Sequence, residues 1–430
     1  MAHHLNNHSH HKPHDLLTSR LNRFPQGAPD SRLLEKILKI LFSDREAELV
    51  AALPIKPFTA KKASRIWSIG EGQTKKTLDS LASRAILVDI VQNDETQYVL
   101  PPPMAGFFEF SLMRLRDDID QKVLCELFYR YLNEEEDFIR ELFTEGDTQL
   151  GRTFVHEPAL PDQQTLHVLD YERASEVIET ADPMGVSLCY CRHKMQHVDK
   201  ACEAPLDICM TFNTSADSLI RHGHARRVDV VEGRELLHKA YENNLVQFGE
   251  NNMRRVNFIC NCCGCCCEAL LAAKRFAHLH PVHTTNYIPS LATESCKGCG
   301  KCVDICPVEA LSLVSANAPH NPKKRSARLN KEICLGCGLC VRSCPTESIH
   351  LVSRREKVIT PVNSAHRVVL MAIERGKLQH LIFDNRVLFS HRALAALLGV
   401  VFKLPPVKQI LANNQVQSRY IQRILANKGY

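Results

Sequence analysis

Cys296-Lys297-Gly298-Cys299-Gly300-Lys301-Cys302-Val303-Asp304-Ile305-Cys306-Pro307 and Cys334-Leu335-Gly336-Cys337-Gly338-Leu339-Cys340-Val341-Arg342-Ser343-Cys344-Pro345 decide how this chain is read. Both follow Cys-x2-Cys-x2-Cys-x3-Cys-Pro, so eight cysteines obey one spacing written twice. Packing asks for no such regularity. A cysteine used as a small core residue needs apolar neighbours rather than a fixed interval, and the isolated Cys125 is read that way. Three thiols two residues apart turn around one point, as the ligands of a metal centre must. Gly298, Gly300, Gly336 and Gly338 free those turns from Cβ clashes.

Around this repeat the chain has 430 residues, 44% apolar, 24% charged and 6% aromatic. That supports roughly two to four packed domains and excludes a disordered, collagenous or coiled-coil protein. Nineteen cysteines in so long a chain do not make a short secreted disulfide scaffold. The first 20 residues hold no apolar secretory segment. A cytoplasmic protein is expected, with its clustered cysteines on metal. No run reaches the roughly 18 apolar residues of a transmembrane segment; the longest, 393–404, reads as a buried helix. The net charge of +6 is mild and does not itself indicate nucleic acid. Neither G-x-G-x-x-G nor G-x-x-x-x-G-K-[ST] occurs, so no nucleotide-binding enzyme is indicated and the chain is read as an electron-transfer component rather than an independent enzyme.

Residues 286–353 resemble bacterial-type two-cluster ferredoxins. The resemblance implies two [4Fe-4S] clusters with crossed ligation. Cys296, Cys299, Cys302 and Cys344 would hold one, and Cys334, Cys337, Cys340 and Cys306 the other. It also implies a pseudo-twofold fold of two short hairpins and two short helices. The helices are expected over 303–310 and 341–348, with strands at 310–313 and 348–351. A loop over 315–326 carries Lys323-Lys324-Arg325, either a solvated loop or a docking patch for an acidic redox partner.

A second group is denser. Cys189-Tyr190-Cys191-Arg192-His193 precedes Cys202 and Cys209, and Cys260-Asn261-Cys262-Cys263-Gly264-Cys265-Cys266-Cys267 packs six thiols into eight residues. Neighbouring residues cannot all face one core or one metal. On a strand, Cys260 and Cys262 share a face and Cys263 points away. A helix over 268–278 places Cys265, Cys266 and Cys267 near a helix N-terminus, where thiolate is favoured. At least one further metal centre is expected from Cys189, Cys191, Cys202, Cys209 and the 260–267 run. An additional iron–sulfur cluster is preferred to zinc or to redox thiols, one of Cys189 and Cys191 can stay free, and His193 and His197 are read as structural. The region resembles multi-cluster proteins of anaerobic bacteria and archaea, which implies an anaerobic oxidoreductase setting. Its likeness to the cysteine-rich domains of heterodisulfide reductases is loose, because the second half-motif is missing.

Residues 31–105 read as helix, helix, turn, helix and hairpin: apolar periodicity over 33–41, helices at 46–53 and 60–68 (capped by Thr59), a helix over 73–84, then strands at 85–91 and 97–100. The pattern resembles a winged helix. In DNA-binding members the third helix enters the major groove. Over 31–110, however, 11 Lys/Arg meet 10 Asp/Glu. That balance favours dimerisation or partner docking over DNA.

The chain is thus expected to be a multidomain α+β protein: a flexible His-rich tail (1–30), winged-helix-like domain (31–105), helical linker (106–155), cysteine-rich metal-binding domain (156–285), dicluster ferredoxin domain (286–353) and basic helical C-terminal extension (354–430). Its expected role is relay of single low-potential electrons to a redox partner protein. The alternative is a redox-sensing DNA-binding regulator in which Arg354, Arg355, Lys357, His366 and Arg367 assist the winged helix.

Overall fold

The computed structural model describes residues 12–160, 170–316, 323–355, 358 and 360–383. His3, His4, His8, His10 and His11, the 393–404 stretch and Pro405-Pro406 lie outside them. Helices and strands are mixed throughout, as expected for an α+β chain.

The N-terminal helices Arg32–Leu41, Asp44–Ala51, Ala60–Trp67 and Glu71–Ser83 form where periodicity placed them. Ser31 accepts from the backbone of Leu33 and Leu34, Ser43 and Glu46 close a reciprocal capping box, and Thr59 accepts from Lys62. Strands β1 (Phe58–Thr59), β2 (Val88–Gln92) and β3 (Glu95–Val99) pair antiparallel in the order β1-β3-β2. Leu34, Ile37, Leu38, Leu78, Leu81 and Tyr98 are buried in the shared core. The expected tail is shortened: Pro13–Leu21 is a helix, with Leu17 and Leu21 in that same core. His14 is buried there, 3.2 Å from the Phe42 carbonyl, so a polar residue read as solvated is a satisfied core residue.

The connector is helical over Phe108–Phe110, Gln121–Tyr129 and Asp137–Thr144. Phe107, Phe108 and Phe128 pack ring against ring at 4.9 Å centroid spacing, joining it to the N-terminal core. The chain then enters a sheet that the sequence reading did not foresee. Strands β4 (Gly151–Thr153), β5 (Met184–Leu188), β6 (Asp207–Phe212), β7 (Arg226–Val228), β8 (Val246–Glu250) and β9 (Phe258–Cys262) form it. Their order is β4-β8-β9-β6-β5-β7, every neighbouring pair antiparallel. Alternation along the strands sorts the side chains onto two faces. Val186 pairs with Met210 and Met210 with Ile259, and this face packs on helices Ala174–Thr180 and Val230–Glu242. Ser187 pairs with Cys209, Thr211 with Phe258, and Phe248 with Cys260; this second face carries the thiols toward the N-terminal half.

In the repeat region, β10 (Tyr287–Leu291) pairs with β13 (Ile349–Ser353), and β11 (Leu311–Ser315) with β12 (Arg325–Leu329). The two helices are shorter than expected, Lys301–Asp304 and Leu339–Ser343. They end ahead of Pro307 and Pro345, because the residue before a proline is pushed out of the helical region. Ser315, Arg325 and Ser326 belong to strands rather than to a loop. Beyond 354, helices Ser364–Glu374 and Leu378–Ile382 fold back onto the body. Arg367 forms a buried ion pair with Glu250 at 2.8 Å. Arg375 donates to the carbonyls of Pro25, Leu142 and Glu145. Among the described residues, no helix is long and apolar enough to cross a membrane.

Candidate metal centres

All 19 cysteines are free thiols. Eight sit in the repeat. Cys296, Cys299, Cys302 and Cys344 line one small cavity, three from the first motif and the fourth from the second. Cys306 sits close enough to Cys334, Cys337 and Cys340 to raise the pKa of each. Burial is the larger cause, pushing Cys334 up to about 11 and Cys337 up to about 12. A thiol so disfavoured as a free anion is favoured once a cation takes its charge. Gly298, Gly300, Gly336 and Gly338 all have positive φ, and a Cβ at Gly298 would meet the Arg325 carbonyl oxygen at 2.4 Å. These loops close only with glycine.

The other ten thiols separate into two groups. Cys202, Cys263, Cys265 and Cys266 bring their sulfurs within 4.8 Å of one another. Cys202 and Cys263 are 3.6 Å apart, Cys265 and Cys266 3.6 Å, and Cys266 and Cys202 4.0 Å. Four arms of about 2.3 Å around one tetrahedral ion have sulfur–sulfur edges of about 3.8 Å, so this set fits a single ion. The Cys263 thiol is pulled down to about 4, first by its hydrogen bond from Cys266 and then, against burial, by Arg192.

The remaining six, Cys189, Cys191, Cys209, Cys260, Cys262 and Cys267, gather as a ring on one cavity. Strand register makes this possible. Cys209 and Cys260 lie on the adjacent strands β6 and β9, Cys262 follows on the same face, and Cys189 follows the end of β5. Hydrogen bonds from both neighbours lower Cys189, Cys260 and Cys267, the last two to about 5, while Cys191, Cys209 and Cys262 are raised as donors. Cys267 occupies the N-cap position of helix Glu268–Arg275, where a thiolate is favoured, without a side-chain capping hydrogen bond. Both Cys189 and Cys191 belong to the ring, so neither is left over. The ten thiols from which at least one further centre was expected are divided because Cys263 turns out of strand β9 and carries Cys265 and Cys266 with it.

Charged residues hold these elements in place. Lys194, on helix Tyr190–His197, forms a fully buried ion pair with Glu268 and donates to Asn133 Oδ1 at 2.6 Å; Asn133 Nδ2 returns a bond to Glu268 Oε2 at 2.9 Å. The helix bearing Cys191 is thereby clamped to the one that follows Cys267. Arg192 donates to the Asn261 carbonyl at 3.0 Å and lies 3.6 Å from Cys263 Sγ. Burial works against its charge, and the thiolates favoured at Cys189 and Cys263 more than offset that. His193 is bonded to the Leu112 carbonyl at 2.7 Å and faces His197 at 3.3 Å, in keeping with structural roles for both. Sequence reasoning missed Glu268, Lys194 and Glu109. The Glu109 carboxyl is raised well above the carboxylate range, by burial first and then by negative charge at Cys260 and Cys267.

Gly264 packs the thiol-rich loop directly against the repeat. A Cβ at Gly264 would meet the Pro307 carbonyl oxygen at 2.5 Å and its Cα at 2.9 Å. Pro307 follows Cys306, so the four-thiol site abuts a cysteine of the second cluster set.

Residues 295–348 match the family model described as a 4Fe-4S dicluster domain. This segment is an iron–sulfur domain of the ferredoxin kind, and the protein is an iron–sulfur protein over that part of its length. No curated protein and no solved structure gives a significant match to the chain.

Proposed function

We propose that the protein relays low-potential electrons through two [4Fe-4S] clusters to a partner oxidoreductase. The observation that carries this reading is the shared cavity of Cys296, Cys299, Cys302 and Cys344, which takes its fourth thiol from the other motif. When bound, each cluster supplies one-electron chemistry at low potential. The chain's own residues set its surroundings. Arg354 donates to the Cys334 carbonyl at 2.6 Å, and the His156 backbone to the Cys337 carbonyl at 2.9 Å, fixing the loop that carries both thiols.

Cys202, Cys263, Cys265 and Cys266 form a further metal centre in this reading. Their close spacing moves it from the cluster expected above to a single tetrahedral ion, zinc or iron. The N-terminal module is a winged-helix-like docking element. Two of its basic residues are already engaged: Lys75 with Asp79 at 2.7 Å and Arg84 with Glu46. Its hairpin is held inside the molecule, where Asp89 accepts from Arg221 and from Ser218 Oγ at 2.5 Å. Arg354 and Arg367 are likewise engaged within the chain. These partners support protein docking over DNA.

The test is metal content of the full chain prepared without oxygen. About eight irons and eight acid-labile sulfides or more, with one further thiolate-bound ion, is expected. Zinc without labile sulfide would overturn the relay.

A further inference from the structure

We propose that the ring of Cys189, Cys191, Cys209, Cys260, Cys262 and Cys267 is a separate multi-iron iron–sulfur centre whose open face lines a chamber for a small, neutral, apolar substrate. A cubane takes four thiolates, and a single tetrahedral ion takes four. Six thiols gathered on one cavity exceed both. The four whose sulfurs lie within 4.8 Å of one another include none of these six, although two of them, Cys263 and Cys266, reach the same cavity wall.

The surroundings of the ring differ from those of the repeat clusters. All six ring thiols line one cavity of ≈ 440 Å³, whereas the cavity between the cysteines of the first repeat cluster is ≈ 20 Å³. The first is by far the roomier of the two. Cavities of about 300–1,000 Å³ are the size of small-molecule sites. The wall is largely apolar, with Ile90, Leu100, Phe110, Met113, Phe248 and Phe258 contributing to it. Ile90 comes from the N-terminal hairpin and Phe248 and Phe258 from the thiol face of the sheet, so the chamber is built where two parts of the fold meet. An electron carrier exposes its clusters to a partner and needs no such chamber. An enzyme that reacts a small molecule at a cluster does.

The inference rests on the relay reading only for the source of its electrons, and the repeat-cluster signals report on that reading separately. The full chain is prepared anaerobically as wild type, Cys189→Ser/Cys260→Ser, Cys202→Ser/Cys265→Ser and Ile90→Trp. Iron, labile sulfide and low-temperature EPR are measured, with and without pressurised xenon as an apolar probe. Wild type is expected to hold iron and sulfide beyond the about eight of the two cubanes. Cys189→Ser/Cys260→Ser should lose all of the excess labile sulfide and the iron that accompanies it while keeping both cubane signals, and Cys202→Ser/Cys265→Ser should keep that sulfide and lose at most one metal ion. If the first variant loses the cubane signals as well, Cys209→Ser is read in its place. Xenon should shift the extra signal and leave the cubane signals unchanged, and Ile90→Trp should abolish that shift by filling the chamber. The proposal is overturned by a wild type with no labile sulfide beyond the cubanes, by excess sulfide that follows Cys202 and Cys265, or by an extra signal indifferent to xenon.

Discussion

The two cysteine-rich regions solve one problem in opposite ways. In the repeat, each set of four thiols is assembled from a tight loop plus one borrowed residue, and the loop can be read directly from spacing. In the sheet region, six thiols come from β5, β6, β9 and the helices at their ends, and spacing along the chain says little about which meet. The first design tethers a short segment around its cofactor. The second sets thiols on a preformed surface, with a cavity in front of them. A local loop makes a compact, closed thiol set; a sheet face leaves a cavity in front of its thiols.

The contrast can be broken most severely at the borrowed thiols. Cys344→Ser should cost the cluster otherwise held by Cys296, Cys299 and Cys302, about four irons per chain, while the cluster of Cys334, Cys337 and Cys340 persists. Cys306→Ser should do the reverse. Iron counts with EPR of each variant check this; loss of the cluster nearer in sequence would refute crossed ligation. Next in size is the clamp behind the ring. Lys194→Met leaves Glu268 buried without its partner, a cost of about 3–5 kcal/mol. It should appear as a lower denaturant midpoint for the sheet region with the cubane spectra unaltered.

Gly264→Ala tests the seam between the regions. Its Cβ would press on Pro307, and such overpacking costs about 1–3 kcal/mol. Slower reduction of the sheet-region metal by the cubanes, seen by stopped-flow, is expected. Asp89→Asn probes the hairpin over the chamber at a similar or smaller cost of about 1–3 kcal/mol. Burial opposes the Asp89 charge, but Arg221, Ser218 and His222 hold its pKa below the usual value. A group lowered on folding stabilises above its unfolded pKa, so this lock is intact at pH 7 and is lost as pH falls below about 4. Proteolysis of the hairpin against pH would show wild type opening only in acid and the variant already open at neutrality. The smallest effect is expected at Lys323, Lys324 and Arg325. Lys323 and Arg325 are exposed beside the repeat. Replacing all three with Ser should slow electron transfer to an acidic partner a few-fold at low salt, with the difference vanishing at high salt.

The sequence was most legible where structure is local. Apolar periodicity located the helices at Arg32–Leu41 and Glu71–Ser83, and the strand-like runs at 85–91 and 97–100 located the hairpin. The eight repeat cysteines were legible because three of each four share a loop. The division of the other ten was not, since it depends on Cys209 meeting Cys260 across strands that are about fifty residues apart in sequence. Strands such as Met184–Leu188, buried on nearly every residue, show no clean alternation and were passed over. The helix Pro13–Leu21 hid behind a histidine-rich leader, because His14 reads as solvated until Phe42 supplies its partner.

The most direct test of the account is a reductive titration of the full chain followed by low-temperature EPR. Two ferredoxin-type signals should develop at low potential and broaden one another, as the proposed crossed ligation, with Cys344 beside Cys296, Cys299 and Cys302, would bring the two clusters close. A single isolated signal, or none, would contradict the paired relay on which the functional reading stands.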